Sequence, residues 1–228
     1  MDAAAGLRLV VGETAGVTTS PAAGSDPHAG AMPARPVIVV LAAGAGSRFD
    51  GDGHKLSAPL SPAAPNRSDS VIERSITNAI AADIGPVVVV AGAVADIVPR
   101  HLLDAVTVTH NDRWQEGQIT SLHRGIAAAR ALGASSVIVG LADQPFIEPS
   151  AWRTVAHATG PIVVATYAGT RANPVKLDAE VWELLPTTGD EGARALMRVR
   201  PDLVREVACT GSPADIDTTE DLRRWQSN

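Results

Sequence analysis

Cysteine is almost missing from this chain of 228 residues. The single one, Cys209, excludes an intramolecular disulfide and a cysteine-rich metal centre, and it fits a reducing compartment. Positive charge is not in excess either. A formal net charge of −6 argues against a broad nucleic-acid-binding face, although one bound nucleotide needs only a few local cations. No apolar run approaches a membrane span. The N-terminus has Asp2 and no basic leader, and its apolar stretch Leu7 to Val11 is too short for a signal peptide. These absences predict a cytoplasmic protein that binds neither membrane nor nucleic acid. The six histidines show no metal-ligand spacing. Only His54, beside Lys55, lies near candidate chemistry, while His110, His123 and His157 read as structural or exposed. No Ser-His-Asp order is compelling.

What is present begins with an ordinary apolar fraction, 45%, enough for a sizeable core. Residues 1–35 stand apart, rich in Ala, Gly, Thr, Ser and Pro, and read as a flexible extension. From Pro36 to the C-terminus strands and helices alternate. Val37 to Leu41, Val87 to Ala91, Val106 to His110, Val137 to Leu141, Ile162 to Tyr167 and Leu203 to Ala208 are strand candidates. Ser70-Val71-Ile72-Glu73 reads as a capping box opening a helix with Ile72, Ile76, Ala79 and Ile80 on one face. Leu122, Ile126 and Ala129 mark a second helix, which ends before Gly133. Trp152 and Val155 mark a third after Pro149. Trp182, Leu184 and Leu185 belong to a later one, and Thr218-Thr219-Glu220-Asp221 opens the last. Continuous apolar strands alternating with helices predict a three-layer α/β/α sandwich, Rossmann-like, around a mostly parallel sheet. The proline-rich loop over 57–69 reads as a surface insertion, with a lid as the alternative.

Five segments carry candidate chemistry. Leu41-Ala42-Ala43-Gly44-Ala45-Gly46-Ser47-Arg48, followed by Lys55, breaks directly out of the first apolar strand. Small residues let backbone N–H groups approach phosphate oxygens, and the two cations neutralise their charge. It is neither the dinucleotide fingerprint nor a Walker A loop, since the third glycine and the Gly-Lys-Ser/Thr are missing. Leu141-Ala142-Asp143-Gln144-Pro145 puts a carboxylate at the end of a central strand, where open α/β sheets place ligands and where a magnesium ion finds its one or two carboxylates. Asp215-Ile216-Asp217-Thr218 offers a second one. Glu116-Gly117-Gln118-Ile119-Thr120-Ser121-Leu122 opens a helix whose N-terminus and hydroxyls suit a nucleoside. Arg171-Ala172-Asn173-Pro174 and Thr188-Gly189-Asp190-Glu191-Gly192-Ala193-Arg194 bring cations for a second anionic group. Taken singly, each segment also reads as ordinary architecture: a tight turn, a helix cap, or exposed charges at a turn or a helix start.

Together and in this order the five segments resemble the MobA-like nucleotidyltransferases, and among them the molybdenum cofactor cytidylyltransferases. The matching pieces are the Leu-Ala-Ala-Gly loop with Arg48 and Lys55, Gly117 to Gly125 around Ser121-Leu122, Leu141 to Pro145, Gly189 to Arg194, and Asp215 to Asp221. The resemblance implies a fold of the nucleotide-diphospho-sugar transferase type. It also implies transfer of CMP from CTP to the phosphate of molybdopterin cofactor, with release of pyrophosphate. In that assignment Asp143 and Asp217 hold Mg²⁺. Lys55 and Arg48 grip the triphosphate, and with Asp143 they form the catalytic set. Leu41, Ala42, Ala43, Gly44, Ala45, Gly46, Gly117 and Ser121 border the nucleotide. Arg171, Asn173, Asp190 and Arg194 border the acceptor, and a molybdoenzyme receives the product. Ala43 and the Thr120-Ser121-Leu122 form favour CTP over GTP by resemblance. The chain departs from the pattern at Arg48-Phe49-Asp50, in the longer spacing to Lys55, and at Asn173, where the family commonly has His. The rival expectations are a guanylyl- or sugar-phosphate nucleotidyltransferase and, in another class, a non-catalytic cofactor carrier.

Overall fold

The computed structural model describes residues 35–61 and 69–226; the expected extension over 1–35 lies outside them, apart from Arg35. Seven strands form one sheet: β1 Val37–Ala42, β2 Val87–Ala91, β3 Thr107–His110, β4 Ser136–Leu141, β5 Ile162–Tyr167, β6 Thr170–Asp178 and β7 Val204–Ala208. Their order across the sheet is β3-β2-β1-β4-β6-β5-β7. β6 runs antiparallel to both of its neighbours, and the other pairings are parallel. Among the described residues five α-helices cover the sheet: α1 Val71–Ala81, α2 Gln118–Ala131, α3 Pro149–His157, α4 Arg194–Val199 and α5 Thr219–Gln226.

Alternation along β1 sorts the core into two layers. Ile38, Val40 and Ala42 face α1, α3 and α5, packing with Ile72, Ile76, Trp152, Val155 and Leu222. Val37, Val39 and Leu41 face α2 and α4, packing with Leu122, Ile126, Ala129 and Met197. All six β1 residues are buried. That is why the strand reads as an unbroken apolar run: a central parallel strand has no solvent face. Gly125 belongs to the same contact, since an added Cβ would stand 2.4 Å from the Val39 side chain. The chain leaves β1 to build β2 and β3 on one side and returns to lay β4 on the other. The crevice beyond the carboxyl ends of β1 and β4 is therefore the topological switch point, where such sheets bind ligands.

The six expected strands form within a residue of their predicted ends, while the reading of residues 171–174 as a turn does not hold. They lie in β6, which alternation did not reveal. Proline inside a strand removes a ladder donor and is confined to edges and bulges. Here Val164 pairs with Val175 and Ala165 with Ala172, so Asn173 and Pro174 form the bulge. Pairing with β4 runs only from Ser136 to Val139, opposite Asp178 to Val175. Beyond that point β4 and β6 separate.

The expected capping box is half formed. Ser70 Oγ accepts from Glu73 N at 3.4 Å, whereas Glu73 Oε1 is engaged by His101 Nε2 at 2.9 Å. The helix expected around Trp182 is a 3-10 segment, Ala179–Leu184, that buries Trp182 and leaves Leu184 exposed. The base of the 57–69 loop is tied like a hairpin, with Leu60 N donating to Asp69 O at 2.9 Å and Pro59 bridging to Ser70. Residues 62–68, where a lid or insertion was expected, lie outside the described residues.

Candidate active site

A cavity of about 390 Å³ opens at the switch point. One wall is the loop after β1, from Ala43 to Arg48; Leu41, next to last in β1, and Leu141, last in β4, lie beneath it. The backbone N–H groups of Gly44 through Arg48 donate to no protein acceptor among the described residues. Such a run of uncommitted donors suits an anion. Ala42, expected to border the nucleotide, instead points into the core on the far side of the sheet.

Lys55 enters the cavity from the short 3-10 turn Lys55–Ser57. Its Nζ donates to Asp143 Oδ2 at 2.7 Å and to Asp217 Oδ1 at 2.6 Å. Arg48, largely exposed, reaches Asp217 Oδ2 at 2.8 Å. Residues far apart in sequence thus meet at one ammonium group. Their approach has a backbone cause: Ile216, fully buried, donates its N–H to Asp143 O at 2.9 Å. The Asp221 carboxylate accepts from Thr218 N at 3.0 Å and fixes the turn that follows Asp217. The Asp143 loop is braced from α1, where Ser75 Oγ donates to Ala142 O at 2.8 Å and Asn78 Nδ2 to Pro145 O at 3.0 Å.

Electrostatics follow from burial and from this pairing. Burial opposes the Lys55 ammonium, but Asp143 and Asp217 outweigh it and hold the pKa above the ordinary lysine range. Burial raises the Asp143 carboxyl above its usual range, Lys55 pulls it back, and Asp217 and Asp215 add to the rise. Asp143 Oδ1 is buried and has no hydrogen-bond partner among the described residues. An orphaned carboxylate oxygen beside a second carboxylate fits a divalent cation, which takes one or two carboxylates and completes its shell with phosphate and water. Among the described residues no cluster of three His, Cys, Asp or Glu side chains gathers around such a position; Asp143 and Asp217 are the carboxylates that meet there.

The departure between Phe49 and Lys55 is packed rather than loose. Phe49 N donates to Gly46 O at 2.9 Å, and Thr219 Oγ1 donates to Asp50 Oδ1 at 2.7 Å. Phe49 packs on the core, with Gly51 under its ring. The longer route therefore still delivers Lys55 to the carboxylates.

Across the cavity lie Gly117, Gln118 and Ser121 at the start of α2, with Trp114 and Gln115 before them. Gly117 has φ +108°, and an added Cβ would lie 2.5 Å from Gly189 O and 2.7 Å from Asp190 Oδ1. Only glycine permits that contact, which places Asp190 on this cavity. Ser121 Oγ is buried and accepts from Asn111 Nδ2 at 2.9 Å; the same amide donates to Thr120 Oγ1 at 2.8 Å. Sequence reasoning missed Asn111, which lies in no motif. It also missed Trp114, whose place three residues before Gly117 was an available signal.

The expected acceptor set divides. Arg171, Asn173 and Arg194 line a neighbouring cavity of about 330 Å³, formed where β4 and β6 part, whereas Asp190 lines the first. The second cavity has an apolar floor of Leu122, Val139, Val164, Val175 and Met197, and shares Leu41, Gln118 and Leu141 with the first. Arg171 pairs with Glu206 at 2.7 Å. Asn173 Nδ2 donates to Gln144 Oε1 at 2.8 Å, and Gln144 Nε2 donates to Pro213 O at 2.9 Å.

A switch-point cavity with a donor-rich loop, paired carboxylates and two cations defines a nucleotide-handling α/β protein. The comparisons give the family. Residues 38–207 match the MobA-like NTP transferase domain, and the chain belongs to that family. It is similar to a protein named Nicotine blue oxidoreductase from Paenarthrobacter nicotinovorans, 31% identical over 82% of this chain and 94% of that one. Among solved structures it is similar to a nucleotidyl transferase from Methanothermobacter, with TM-score 0.71, 25% identity, and coverage of 85% of this chain and 96% of that one. It is also similar to Rv0371c from Mycobacterium tuberculosis in complex with manganese, with TM-score 0.65, 26% identity, and coverage of 86% and 100%. Among the described residues no helix is long and apolar enough to cross a membrane.

Proposed function

We propose that this protein transfers the CMP group of CTP to the phosphate of molybdopterin cofactor, releases pyrophosphate, and passes the product to a molybdoenzyme in the cytoplasm. The observation that carries the reading is the junction of Lys55 with Asp143 and Asp217 at 2.7 and 2.6 Å, beside the uncommitted N–H groups of Gly44 to Arg48. Family membership, Ala43 and the Thr120-Ser121-Leu122 form support the nucleotidyl chemistry and the preference for CTP.

In this reading an oxygen of the acceptor phosphate attacks the α-phosphorus of CTP, and the bond to the β-phosphate breaks. The attacking group is already an anion, so no general base is required. Catalysis is then alignment and charge stabilisation. Lys55 and Arg48 exchange carboxylate for phosphate contacts and hold the charge that builds on departing pyrophosphate. The loop N–H groups orient the triphosphate. Arg171, Asn173 and Arg194 hold the acceptor in the adjoining cavity. Mg²⁺, held by Asp143 and Asp217, supplies Lewis-acid polarisation of the phosphate when bound.

The test is incubation of the full chain with Mg²⁺, molybdopterin cofactor and each nucleoside triphosphate in turn, with the product identified by mass and pyrophosphate measured. A CMP adduct is expected with CTP, and its loss in Asp143→Ala. Failure to form any nucleotidyl adduct, or near-normal turnover by that variant, refutes the assignment. The name of the 31% identical relative and the apolar floor of the second cavity favour one second reading, a redox reaction. A parallel arm with a reduced nicotinamide nucleotide separates the two.

A further inference from the structure

His54 is a titratable side chain that the proposed chemistry leaves unused, and it holds two parts of the site together. Its Nδ1 accepts from Leu56 N at 3.2 Å and so caps the turn that carries Lys55. With Nδ1 an acceptor, the proton of the neutral ring resides on Nε2, and Nε2 donates to Gly44 O at 3.1 Å. A planar trans peptide points its N–H opposite to its C=O. Holding the Gly44 carbonyl toward His54 therefore turns the Ala45 N–H away from it. Packing agrees with the bonding: a Cβ on Gly46, where φ is +64°, would meet Lys55 Cγ at 3.1 Å and His54 Nε2 at 3.2 Å.

We infer that His54 is a positioning residue for nucleoside triphosphate. It fixes the donor loop of Gly44 to Arg48 in register with the Lys55 ammonium, across the unusually long segment between Arg48 and Lys55. The inference rests on the proposed nucleotidyl reading. His54 touches neither carboxylate among the described contacts, so its effect passes through the loop and the turn, on triphosphate affinity more than on turnover.

The two hydrogen bonds can be tested separately. His54→Gln keeps an N–H near the place of Nε2, His54→Asn keeps an acceptor near that of Nδ1, and His54→Ala keeps neither. Calorimetric titration of the full chain with Mg²⁺ and CTP is expected to show His54→Ala weakened about tenfold, the scale of one hydrogen bond. His54→Gln should recover most of the loss and His54→Asn less. The KM for CTP should rise in parallel while kcat changes about twofold or less, with thermal unfolding little altered. Imidazole ¹⁵N shifts of the wild type should report the Nε2–H tautomer. Wild-type affinity in His54→Ala, no recovery in His54→Gln, or an Nδ1–H tautomer overturns the inference and leaves the nucleotidyl reading standing. A wild-type chain that binds no nucleoside triphosphate overturns both.

Discussion

Replacing Lys55 by Met removes the cation from between two carboxylates and keeps most of its volume. In the native protein the Lys55 side chain is 11% exposed, and those of Asp143 and Asp217 are 19% and 15% exposed. Removing one partner of a buried pair costs roughly 3–5 kcal/mol because the other charge is stranded. Two features reduce that figure here. Arg48 still reaches Asp217 at 2.8 Å, and both carboxylates keep some contact with solvent. The expected loss therefore falls below that range, at about 2–3 kcal/mol. With urea slopes of about 1–3 kcal/mol per molar, the unfolding midpoint should fall by about 1–3 M. The double variant Lys55→Met with Asp143→Asn removes one stranded charge and should regain at least half of the loss. Urea unfolding followed by circular dichroism, with the slope checked for constancy, measures both. A single variant as stable as the wild type, or a double variant no better than the single, would show that the ammonium does not hold the carboxylates in solution.

Further predictions follow from neighbouring features. Gly117→Ala forces a Cβ to 2.5 Å from Gly189 O at a φ of +108°; a loss of about 1–3 kcal/mol and weaker CTP binding are expected, and a calorimetric unfolding temperature equal to wild type would contradict the contact. Tyr167 carries a buried hydroxyl without a partner, so Tyr167→Phe should stabilise the fold by about 1 kcal/mol; a loss of that size would mean the hydroxyl is satisfied. Burial also raises the Tyr167 pKa, with Cys209 and Glu148 adding to it, above the ordinary value of 10.0. The unfolded chain then ionises first. Stability is therefore unaffected by this group below about pH 10 and declines as pH rises from there toward the folded value. The Phe variant should show a shallower alkaline decline in urea titrations at pH 9 to 11, and identical slopes would argue against the shift.

Much of the fold was readable because it depends on short-range pattern. β1 is a run of β-branched and apolar residues bounded by small ones. The helix with Leu122, Ile126 and Ala129 on one face ends before Gly133, whose φ of +73° is what a helix C-terminus requires. β6 was unreadable because Asn173, Pro174 and Lys176 give it neither alternation nor continuous hydrophobicity. Lys176 is buried there by donating to Ala158 O at 2.8 Å, a partner outside the strand. Asn111 carries no motif, since the hydroxyls its amide meets are brought to it by the start of α2.

The sequence by itself determined the alternation of strand and helix, the small-residue loop after β1 and the presence of Arg48, Lys55, Asp143 and Asp217, because composition and local periodicity record such features directly. The tertiary structure decided how they combine. Only the sheet order places the ends of β1 and β4 side by side, and the long-range bond from Ile216 N to Asp143 O holds the Asp217 segment beside the Asp143 loop. It also divided the expected acceptor residues between two cavities, with Arg171 and Asn173 carried on a strand that no local signal announced. Contacts between residues distant in sequence arise from packing the whole chain, and packing leaves no periodic trace at the positions it joins.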